Sequence, residues 1–333
     1  MSERRLRLAL FGSGRIGQVH ARSVATHPDI DLAVIADPFV EGARRLAAET
    51  GTKAVADPEE VFAEADLDGV VIASPTSTHV DLITRSRAHG LAVLCEKPID
   101  LDIDTVLECR DKLGDTTSPI MLGFNRRFDP HFAAVRGRVA AGEIGTLEQL
   151  TIISRDPAPA PVDYIAGSGG IFRDMTIHDL DMARFFVPDI VEVTAVGSNV
   201  FSDDIKRYDD YDSVVVTLRG RGGELITITN SRHCAYGYDQ RLEAFGSTGM
   251  LSAGNVTETT VRKFGSEGTE GAGPCLPFFL ERYAEAYRAE LDAFAHSIRT
   301  GEPCTPGFDD GVTALVLANA AEESARTGRT VTV

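Results

Sequence analysis

The chain has 333 residues, of which 43% are hydrophobic and 25% are charged, and its formal net charge at pH 7 is −17. This length and composition predict a globular protein of two domains. The acidic balance excludes a nucleic-acid partner, because binding to phosphates needs clustered lysine and arginine. No apolar run approaches the ~20 residues of a membrane span, so no membrane partner is expected.

The five cysteines are an odd number and show no CxxC spacing. This usage favours reduced thiols, and therefore a cytoplasmic location, over a disulfide framework or a zinc cluster. An acidic run, which would suggest a cation site, is interpreted as solvated loop charge, and we predict no metal; it comprises Asp203, Asp204, Asp209, Asp210 and Asp212.

The first elements predict a dinucleotide site. Leu6 to Phe11 is a short apolar run typical of a buried parallel strand, and the stretch Gly12-Ser13-Gly14-Arg15-Ile16-Gly17 then opens a helix. In such a loop the first glycine makes the tight turn, the second lets backbone approach a pyrophosphate, and the third allows close packing. The helix N-terminus offers N–H donors to the phosphates.

A second strand, Leu32 to Ala36, ends in Asp37, twenty residues after Gly17. An acidic residue at this spacing binds the adenosine ribose hydroxyls and repels a 2′-phosphate. The sequence therefore favours NAD over NADP. Arg44 and Arg45 lie downstream and leave NADP open, although helix-surface charge is the preferred interpretation.

The alternation of strand and helix continues and predicts a doubly wound parallel sheet of the Rossmann type. Its further members are a helix from Val40 to Glu49, a strand at Val55, a helix from Glu59 to Ala65 and a strand from Gly69 to Ala73. Ser74-Pro75-Thr76 and His79 follow at the carboxyl edge, where such sheets bind ligands. We expect His79 to pack beside the nicotinamide.

The next strand, from Leu91, ends in Glu96-Lys97-Pro98. The proline disfavours helix at Lys97 and predicts an extended exit from the strand. A solvated ion pair closing the strand is the common alternative. Beside the glycine loop, however, Glu96 and Lys97 are interpreted as facing the cofactor cleft.

The stretch from Ser168 to Arg184 predicts a helix with a polar stripe. Asp174 and His178 are four residues apart, and Asp181 lies seven residues after Asp174, so all three project from one face. Taken alone, the pattern fits a capped core helix as well as a catalytic face. The role of Asp181 stays unassigned.

From Gly123 onward most segments read as strands, so we divide the chain into domains at 1–122 and 123–333. The predicted strands are Leu147–Ile153, Val191–Asn199, Ser213–Leu218, Glu224–Asn230, Arg241–Phe245, Met250–Ala253 and Thr257–Lys263, with a hairpin turn at Gly246–Gly249. This pattern predicts an α+β domain with a large, open, mostly antiparallel sheet. Its uncovered face is a natural oligomer surface.

Together these pieces resemble the Gfo/Idh/MocA oxidoreductase family over essentially the whole chain. The match rests on the glycine fingerprint at 12–17, Ser74-Pro75-Thr76 with His79, Glu96-Lys97-Pro98 and the 169–182 helix. Within the family the stretches 123–129 and 154–161 are most similar to its inositol-oxidising branch. The resemblance implies an NAD-binding first domain, a small cyclic polyol as substrate, commonly a homotetramer, and Lys97, Asp174 and His178 as catalytic residues.

Oxidising a secondary alcohol requires a hydride acceptor and a base for the hydroxyl proton. His178 is the expected base because the ordinary pKa of imidazole lies near neutrality, Asp174 its orienting partner, and Lys97 a donor to the reacting oxygen. The residues expected to read the polyol are Asn125, Arg127, Asp156, Asp174 and Tyr236. Arg126 is expected at the surface, and only one of Tyr236 and Tyr238 in the cleft.

The leading hypothesis is oxidation of myo-inositol to 2-keto-myo-inositol. A dehydrogenase of scyllo-inositol or a pyranose sugar is the nearest alternative, because these rings present nearly the same hydroxyls. A regulatory protein that senses NAD without turnover is a third. The presence of Lys97, Asp174 and His178 together argues against the sensor.

Overall fold

The computed structural model describes residues 4–114, 119–266 and 268–333. The chain divides into two compact units. One contains the residues up to Asn125 together with Ala286–Thr313, and the other contains Arg126–Glu285 and Ala314–Val333. This division falls three residues after the boundary expected from sequence, and it returns a late segment to the first unit. None of the described helices is long and apolar enough to cross a membrane.

The first unit is built on six strands and five successive helices. The strands are β1 (Leu6–Phe11), β2 (Ile30–Ala36), β3 (Lys53–Val55), β4 (Gly69–Ile72), β5 (Ala92–Cys95) and β6 (Ile120–Leu122). The helices are α1 (Arg15–Thr26), α2 (Val40–Thr50), α3 (Pro58–Phe62), α4 (His79–Ala88) and α5 (Ile103–Leu113).

All strand pairs in this sheet are parallel and the order is β3-β2-β1-β4-β5-β6. The predicted doubly wound sheet is confirmed. The chain leaves β1 toward one edge of the sheet and returns at β4 toward the other. The carboxyl ends of β1 and β4 therefore flank the switch point, where sheets of this kind bind ligands.

Local chemistry explains several boundaries in this unit. Helix α3 begins after Asp57, whose side chain accepts a hydrogen bond from the Glu59 N–H, and it has proline in its first turn. Helix α2 ends at Gly51, which adopts a left-handed conformation with φ of 72°. Both ends are readable from the sequence because only a few residue types fill these positions at low cost.

The second unit contains a seven-stranded sheet and a separate hairpin. The strands are β7 (Leu147–Arg155), β8 (Ile190–Ser198), β9 (Ser213–Gly220), β10 (Leu225–Ser231), β11 (Asp239–Gly246), β12 (Gly249–Ala253), β13 (Arg262–Gly265), β14 (Gly268–Ala272) and β15 (Val331–Thr332). The remaining helices of the chain are α6 (Pro130–Ala140), α7 (Val162–Gly167), α8 (Ile177–Phe186), α9 (Asp203–Lys206), α10 (Phe279–Arg282), α11 (Ala284–Thr300) and α12 (Phe308–Thr327).

The large sheet has the order β12-β11-β7-β10-β9-β8-β15, and only its β7–β10 pair is parallel. The predicted mostly antiparallel sheet and the hairpin turn at Gly246–Gly249 are confirmed. The strand predicted over Thr257–Lys263 is wrong for most of its length. There the chain makes one isolated bridge from Thr257 to Cys275, and β13 begins only at Arg262.

One face of this sheet is buried and the other is open. In β9 buried and exposed residues alternate along the strand, as expected for a sheet covered on one side. On the open face Thr194, Thr217, Thr227 and Thr151 lie opposite one another across four neighbouring strands. Val196, 68% exposed, pairs with Val215, 47% exposed, in the adjacent row.

Candidate active site

The glycine loop after β1 has the geometry of a phosphate cradle. Gly12 has φ of 98°, and a Cβ there would lie 2.5 Å from the Ala73 carbonyl oxygen. A Cβ on Gly17 would lie 2.2 Å from the Gly12 carbonyl oxygen. Gly14, by contrast, is exposed, and apart from its own and adjoining residues no described residue has an atom within 4 Å of the position of a Cβ. Two glycines therefore permit close packing, and the third leaves open space for a ligand.

Helix α1 begins at Arg15 with no side-chain cap on its first N–H groups. Uncapped donors at a helix N-terminus bind phosphate oxygens. The backbone of Gly14, Arg15 and Ile16 thus fits the pyrophosphate of a dinucleotide, as the sequence predicts.

Asp37 is held rigidly at the end of β2. Its Oδ2 accepts hydrogen bonds from the Ser13 backbone N–H at 2.8 Å and from the Ser13 hydroxyl at 2.7 Å. Its Oδ1 accepts from the Phe39 N–H at 2.8 Å. The fixed carboxylate stands beside the glycine loop, in a position suited to ribose hydroxyls. Ser13 thus acts through its side chain as well as its backbone.

His79 is a buried residue whose side chain joins two segments of backbone. It is 1% exposed, and its Nδ1 and Nε2 lie 2.8 Å from the Pro98 carbonyl and 2.9 Å from the Ser74 carbonyl. Burial lowers the pKa of His79. The hydrogen bonds to the two carbonyls act in the opposite direction, because they favour the protonated ring. Both ring nitrogens are therefore occupied by backbone carbonyls, and the packing of His79 beside the nicotinamide stays a prediction. His79 ties the Ser74 loop to Pro98.

Glu96 also has a partner within the first unit. The His20 Nε2 donates a hydrogen bond to Glu96 Oε1 at 2.7 Å, and the His20 side chain is 1% exposed against 13% for Glu96. Glu96 thus makes a contact with the buried His20 that the sequence did not indicate. Lys97 follows directly, is half-buried and precedes a cis bond to Pro98.

In the second unit Asp174 lies in a π-helical turn, Phe172–Thr176, that runs directly into α8. Such turns hold one extra residue, open the backbone locally and are frequent at functional sites. Asp174 Oδ1 accepts from the Tyr164 hydroxyl at 2.9 Å, and its Oδ2 accepts from Arg232 Nη1 at 3.2 Å. Asp174 and His178 are both partly exposed, whereas the residues around them are mostly buried.

Arg232 is the main functional candidate that the sequence reasoning missed. It follows β10, is 1% exposed, and donates to Asp174 and, from Nη2, to Asp210 at 3.0 Å. Asp210 in turn accepts from the Ile171 N–H at 2.8 Å, just before the π-turn. One feature of the sequence could have indicated Arg232: it is a single arginine directly after a strand with one buried face, at the end of that strand.

Asp156 follows β7 and interacts electrostatically with Asp174 and Arg232. Burial first, and then the charge of Asp174, raise the pKa of Asp156 to about 6, while Arg126 and Arg232 oppose the rise. Perturbed carboxyl groups of this kind cluster at functional sites. Asp156, Asp174 and Arg232 together form what we call the acidic cluster.

The paired arginines are both buried, contrary to the expected surface position of Arg126. Arg126 forms an ion pair with Asp179 and donates to Ser154 Oγ at 3.2 Å. Arg127 donates to Asp181 from Nε at 2.8 Å and from Nη2 at 2.6 Å. Arg127 is therefore committed to a carboxylate, and Asp181 gains the local partner that the sequence left unassigned.

Tyr236 is 53% exposed and Tyr238 is 5% exposed, so the two side chains have different surroundings. The Tyr236 hydroxyl accepts from Arg155 Nη1 at 2.7 Å and donates to Asp239 Oδ2 at 2.6 Å. Tyr238 packs edge-on against Tyr283 with ring centroids 6.0 Å apart. Asn125, the remaining residue expected to read the polyol, is 3% exposed in the last position of the first unit's leading segment.

The acidic run at 203–212 is only partly solvated, which corrects the interpretation of the whole run as loop charge. Asp212 is 0% exposed, and its Oδ2 accepts from the backbone N–H groups of Val200, Phe201 and Ser202 at 2.9, 2.9 and 3.0 Å. Asp210 is 7% exposed and pairs with Arg232. Among the described residues no group of three or more His, Cys, Asp or Glu is arranged to hold a metal ion.

A glycine cradle and fixed carboxylate at the switch point of a parallel sheet, on a chain that also carries the partly buried acidic cluster, define a dinucleotide-dependent enzyme. Residues 6–121 match the oxidoreductase family described as an NAD-binding Rossmann fold. Residues 132–252 match the GFO/IDH/MocA C-terminal domain.

Solved structures and curated relatives agree with these matches. The chain is 68% identical to a myo-inositol dehydrogenase from Corynebacterium glutamicum ATCC 13032, with a TM-score of 0.97 and 99% of each chain covered. It is 45% identical over 329 residues to the inositol 2-dehydrogenase of Rhizobium meliloti (strain 1021), which covers 98% of this chain and 99% of that relative. A scyllo-inositol dehydrogenase from Lactobacillus casei, solved with bound NAD(H) and scyllo-inositol, is 27% identical with a TM-score of 0.92 and 99% of each chain covered.

The chain belongs to the Gfo/Idh/MocA family of oxidoreductases, and its first unit carries the family's NAD-binding Rossmann domain. The resemblance inferred from the sequence is confirmed.

Proposed function

We propose that this protein oxidises a secondary alcohol of a cyclic polyol with NAD, converting myo-inositol to 2-keto-myo-inositol. The observation that carries the proposal is the acidic cluster beside the π-turn: two carboxylates and a buried arginine suit a ring of hydroxyls. The 68% identity to a myo-inositol dehydrogenase supports the same substrate.

In the proposed mechanism NAD, when bound, supplies the acceptor for the hydride. Gly14, Arg15 and Ile16 hold the pyrophosphate, and Asp37 binds the adenosine ribose, while Ser74, Pro75 and Thr76 border the cofactor at the end of β4. Each role uses backbone donors or a fixed carboxylate at the carboxyl edge of the parallel sheet.

His178 takes the hydroxyl proton, because the ordinary pKa of imidazole allows it to accept a proton near neutral pH. The negative charge of Asp174 favours the protonated imidazole that results. Lys97 donates a hydrogen bond to the reacting oxygen and stabilises its alkoxide character. These three roles are part of the proposal.

Of the residues expected to read the polyol, we assign hydroxyl recognition to Asp156 and Asp174, with Arg232 fixing the second. An ionised carboxylate accepts hydrogen bonds from adjacent hydroxyls. Arg127 donates a hydrogen bond to Asp181, and Tyr236 donates one to Asp239. We therefore propose that both residues stabilise the site without contacting the polyol. Asn125, nearly buried, is proposed as a further contact.

We further propose that the protein is a cytoplasmic homotetramer assembled through the open face of its seven-stranded sheet. The exposed Val196 and Val215 and the threonine row offer a flat, weakly charged surface of the kind that packs against a second sheet. Light scattering coupled to gel filtration measures the mass in solution. Val196→Lys should shift it toward smaller species, and an unchanged tetramer would exclude this face.

The deciding experiment follows the absorbance of NADH with NAD and a panel of myo-inositol, scyllo-inositol and pyranose sugars. We expect the highest kcat/KM with myo-inositol. Reduction of NAD by none of the polyols would contradict the proposal and favour a protein that binds NAD without turnover.

scyllo-Inositol is the second candidate substrate, favoured by the relative solved with that polyol. The two isomers differ at one carbon, so the ratio of their kcat/KM values separates the candidates directly. A value greater for scyllo-inositol would change the substrate but not the reaction.

A further inference from the structure

A fully buried carboxyl group in the first unit is not explained by the proposed reaction. Glu290 on α11 is 0% exposed, and neither of its carboxyl oxygens has a hydrogen-bond partner among the described residues. Tyr287, three residues earlier on the same face of α11, packs edge-on against His20 with ring centroids 5.6 Å apart. Burying an ionised carboxylate without a partner is very costly, so this group requires a physical explanation.

The charged neighbour of Glu290 is Glu96. Burial first, and then the charge of Glu96, raise the pKa of Glu290 well above its ordinary value. Glu96 is itself fixed on one side, where its Oε1 accepts from His20 Nε2 at 2.7 Å. Its Oε2 lies against Gly123, where a Cβ would come within 2.8 Å of that oxygen. The lack of a side chain at Gly123 makes room for the Glu96 carboxyl.

Tyr287 and Glu290 lie on one face of α11, Tyr287 packs against His20, and His20 contacts Glu96, so this face of α11 is turned toward the His20–Glu96 pair. Two carboxyl groups that lie close together away from water cannot both be ionised, so they share either a proton or a cation. Glu96, in the turn after β5, is the described charged group that acts on Glu290, and His20 on α1 contacts Glu96. Among the described residues no group of three or more His, Cys, Asp or Glu is arranged to hold a metal ion, and a proton needs only the two carboxyl groups.

We propose that Glu290 and Glu96 share one proton and that this pair positions Lys97, the next residue in the chain. Glu290 donates its O–H to Glu96, which is held on its other side by His20. Glu290 is thus a positioning residue, and its effect on turnover rests on the role proposed for Lys97. When the proton is lost at high pH, two like charges oppose each other and the Glu96–His20 contact is broken.

The first test measures unfolding of the full chain as a function of pH for the wild type, Glu290→Gln and Glu285→Gln. Glu285 is exposed on the same helix and serves as the matched control. In the wild type folding takes up a proton above the ordinary pKa of 4.5. The unfolding constant of the wild type relative to Glu290→Gln should therefore rise up to about tenfold per pH unit until the pKa of the folded state is reached. Glu285→Gln should show no such divergence from the wild type.

The wild type alone offers a second measurement, which holds even where Glu290→Gln fails to fold. Infrared spectra at neutral pH should contain the carbonyl band of a protonated, buried carboxyl group. Absence of that band, together with a pH-independent ratio of unfolding constants, would overturn the shared proton. Stabilisation of the wild type by added Mg²⁺ or K⁺, lost in Glu290→Gln, would overturn it in favour of a cation.

Kinetics test the positioning role separately. In the wild type, loss of the shared proton should lower kcat at high pH. Glu290→Gln keeps a donor toward Glu96, so it should retain kcat near neutral pH and should not show this decline. Glu290→Leu removes the donor and should lower kcat about tenfold with little change in the KM for NAD. An unchanged kcat in Glu290→Leu would refute the link to Lys97. The unfolding and infrared results would still stand, because neither depends on catalysis.

Discussion

Arg127 and Asp181 are joined by two parallel hydrogen bonds inside the second unit, from Nε to Oδ2 at 2.8 Å and from Nη2 to Oδ1 at 2.6 Å. Their side chains are 6% and 2% exposed. Removing one partner leaves the other charge buried without compensation. We predict that Asp181→Ala lowers the free energy of unfolding by roughly 3–5 kcal/mol, measured by denaturant titration.

The exposed Arg138–Glu143 pair provides the control, since water screens this contact and Glu143→Gln should leave the free energy of unfolding nearly unchanged. Replacing both partners by Arg127→Met with Asp181→Leu should recover much of the loss. A raised KM for the polyol in Arg127→Met, without a change in stability, would instead make Arg127 a direct substrate donor.

A second prediction concerns the base. His178→Ala should lower kcat by roughly 10²- to 10⁴-fold, because the hydroxyl proton loses its acceptor, while the dissociation constant for NAD stays near that of the wild type. Stopped-flow NADH formation and NAD titration measure the two quantities. His131→Ala, at an exposed histidine, should alter neither. Unaltered turnover in His178→Ala would remove His178 from the mechanism.

Coenzyme preference supplies a third prediction. Ser13→Ala removes the 2.7 Å hydrogen bond to Asp37 Oδ2, so the KM for NAD should rise about five- to tenfold, as expected for a loss of about 1–1.5 kcal/mol. Gly42→Ala should have a similar effect, because a Cβ there would lie 2.7 Å from Ser13 Oγ. Steady-state kinetics with both coenzymes measure the change.

Asp37→Ser should improve the use of NADP relative to NAD, since the carboxylate that repels a 2′-phosphate is gone. Ser252→Ala, at an exposed serine in the second unit, is the control. A wild type that prefers NADP would refute the role given to Asp37.

The fourth prediction follows from Asp156. Its pKa is raised to about 6 from an ordinary value of 3.8, so folding takes up a proton between these values. Stability from this group is present below the ordinary value and is lost as the pH rises toward 6. We expect the free energy of unfolding to fall, relative to Asp156→Asn, by at most about 1.4 kcal/mol per pH unit across this interval.

In kinetics the same group should give kcat/KM for the polyol a rise with pH near 6, because only the ionised Asp156 accepts from two hydroxyls. Asp156→Asn should remove this rise of kcat/KM with pH. Asp163→Asn, the same substitution at an exposed position, should retain it. A rise that persists in Asp156→Asn would assign it to another group.

The sequence predicts the first unit well because its signals are local. Each buried strand is a short apolar run, and the loop at Gly12–Gly17 depends on two glycines, Gly12 and Gly17, whose neighbours leave no room for a Cβ. The Asp37 carboxylate lies beside that loop, as the spacing predicts. A pattern with a period of two or 3.6 residues is enough to recover these elements.

In the second unit, the partners of buried charged residues and the π-turn could not be predicted from the sequence. Arg126 pairs with Asp179 and Arg232 with Asp174, across 53 and 58 positions of chain. A hydrophobic pattern assigns charged residues to the surface and gives no sign of such distant partners. The π-turn at Phe172–Thr176 is also invisible to a fixed helical period, because its extra residue changes the rotation between Asp174 and His178.

The segment Ala286–Thr313 joins the first unit only after the chain has passed through residues Arg126–Glu285 of the second. A ribosome releasing the residues up to Asn125 therefore exposes a parallel sheet whose His20 still lacks Tyr287 and whose Glu96 still lacks Glu290. Contacts so distant in sequence form late and slowly. The first unit therefore cannot complete its packing until synthesis of the chain is nearly finished. A chain that is truncated anywhere before α11 lacks part of both units.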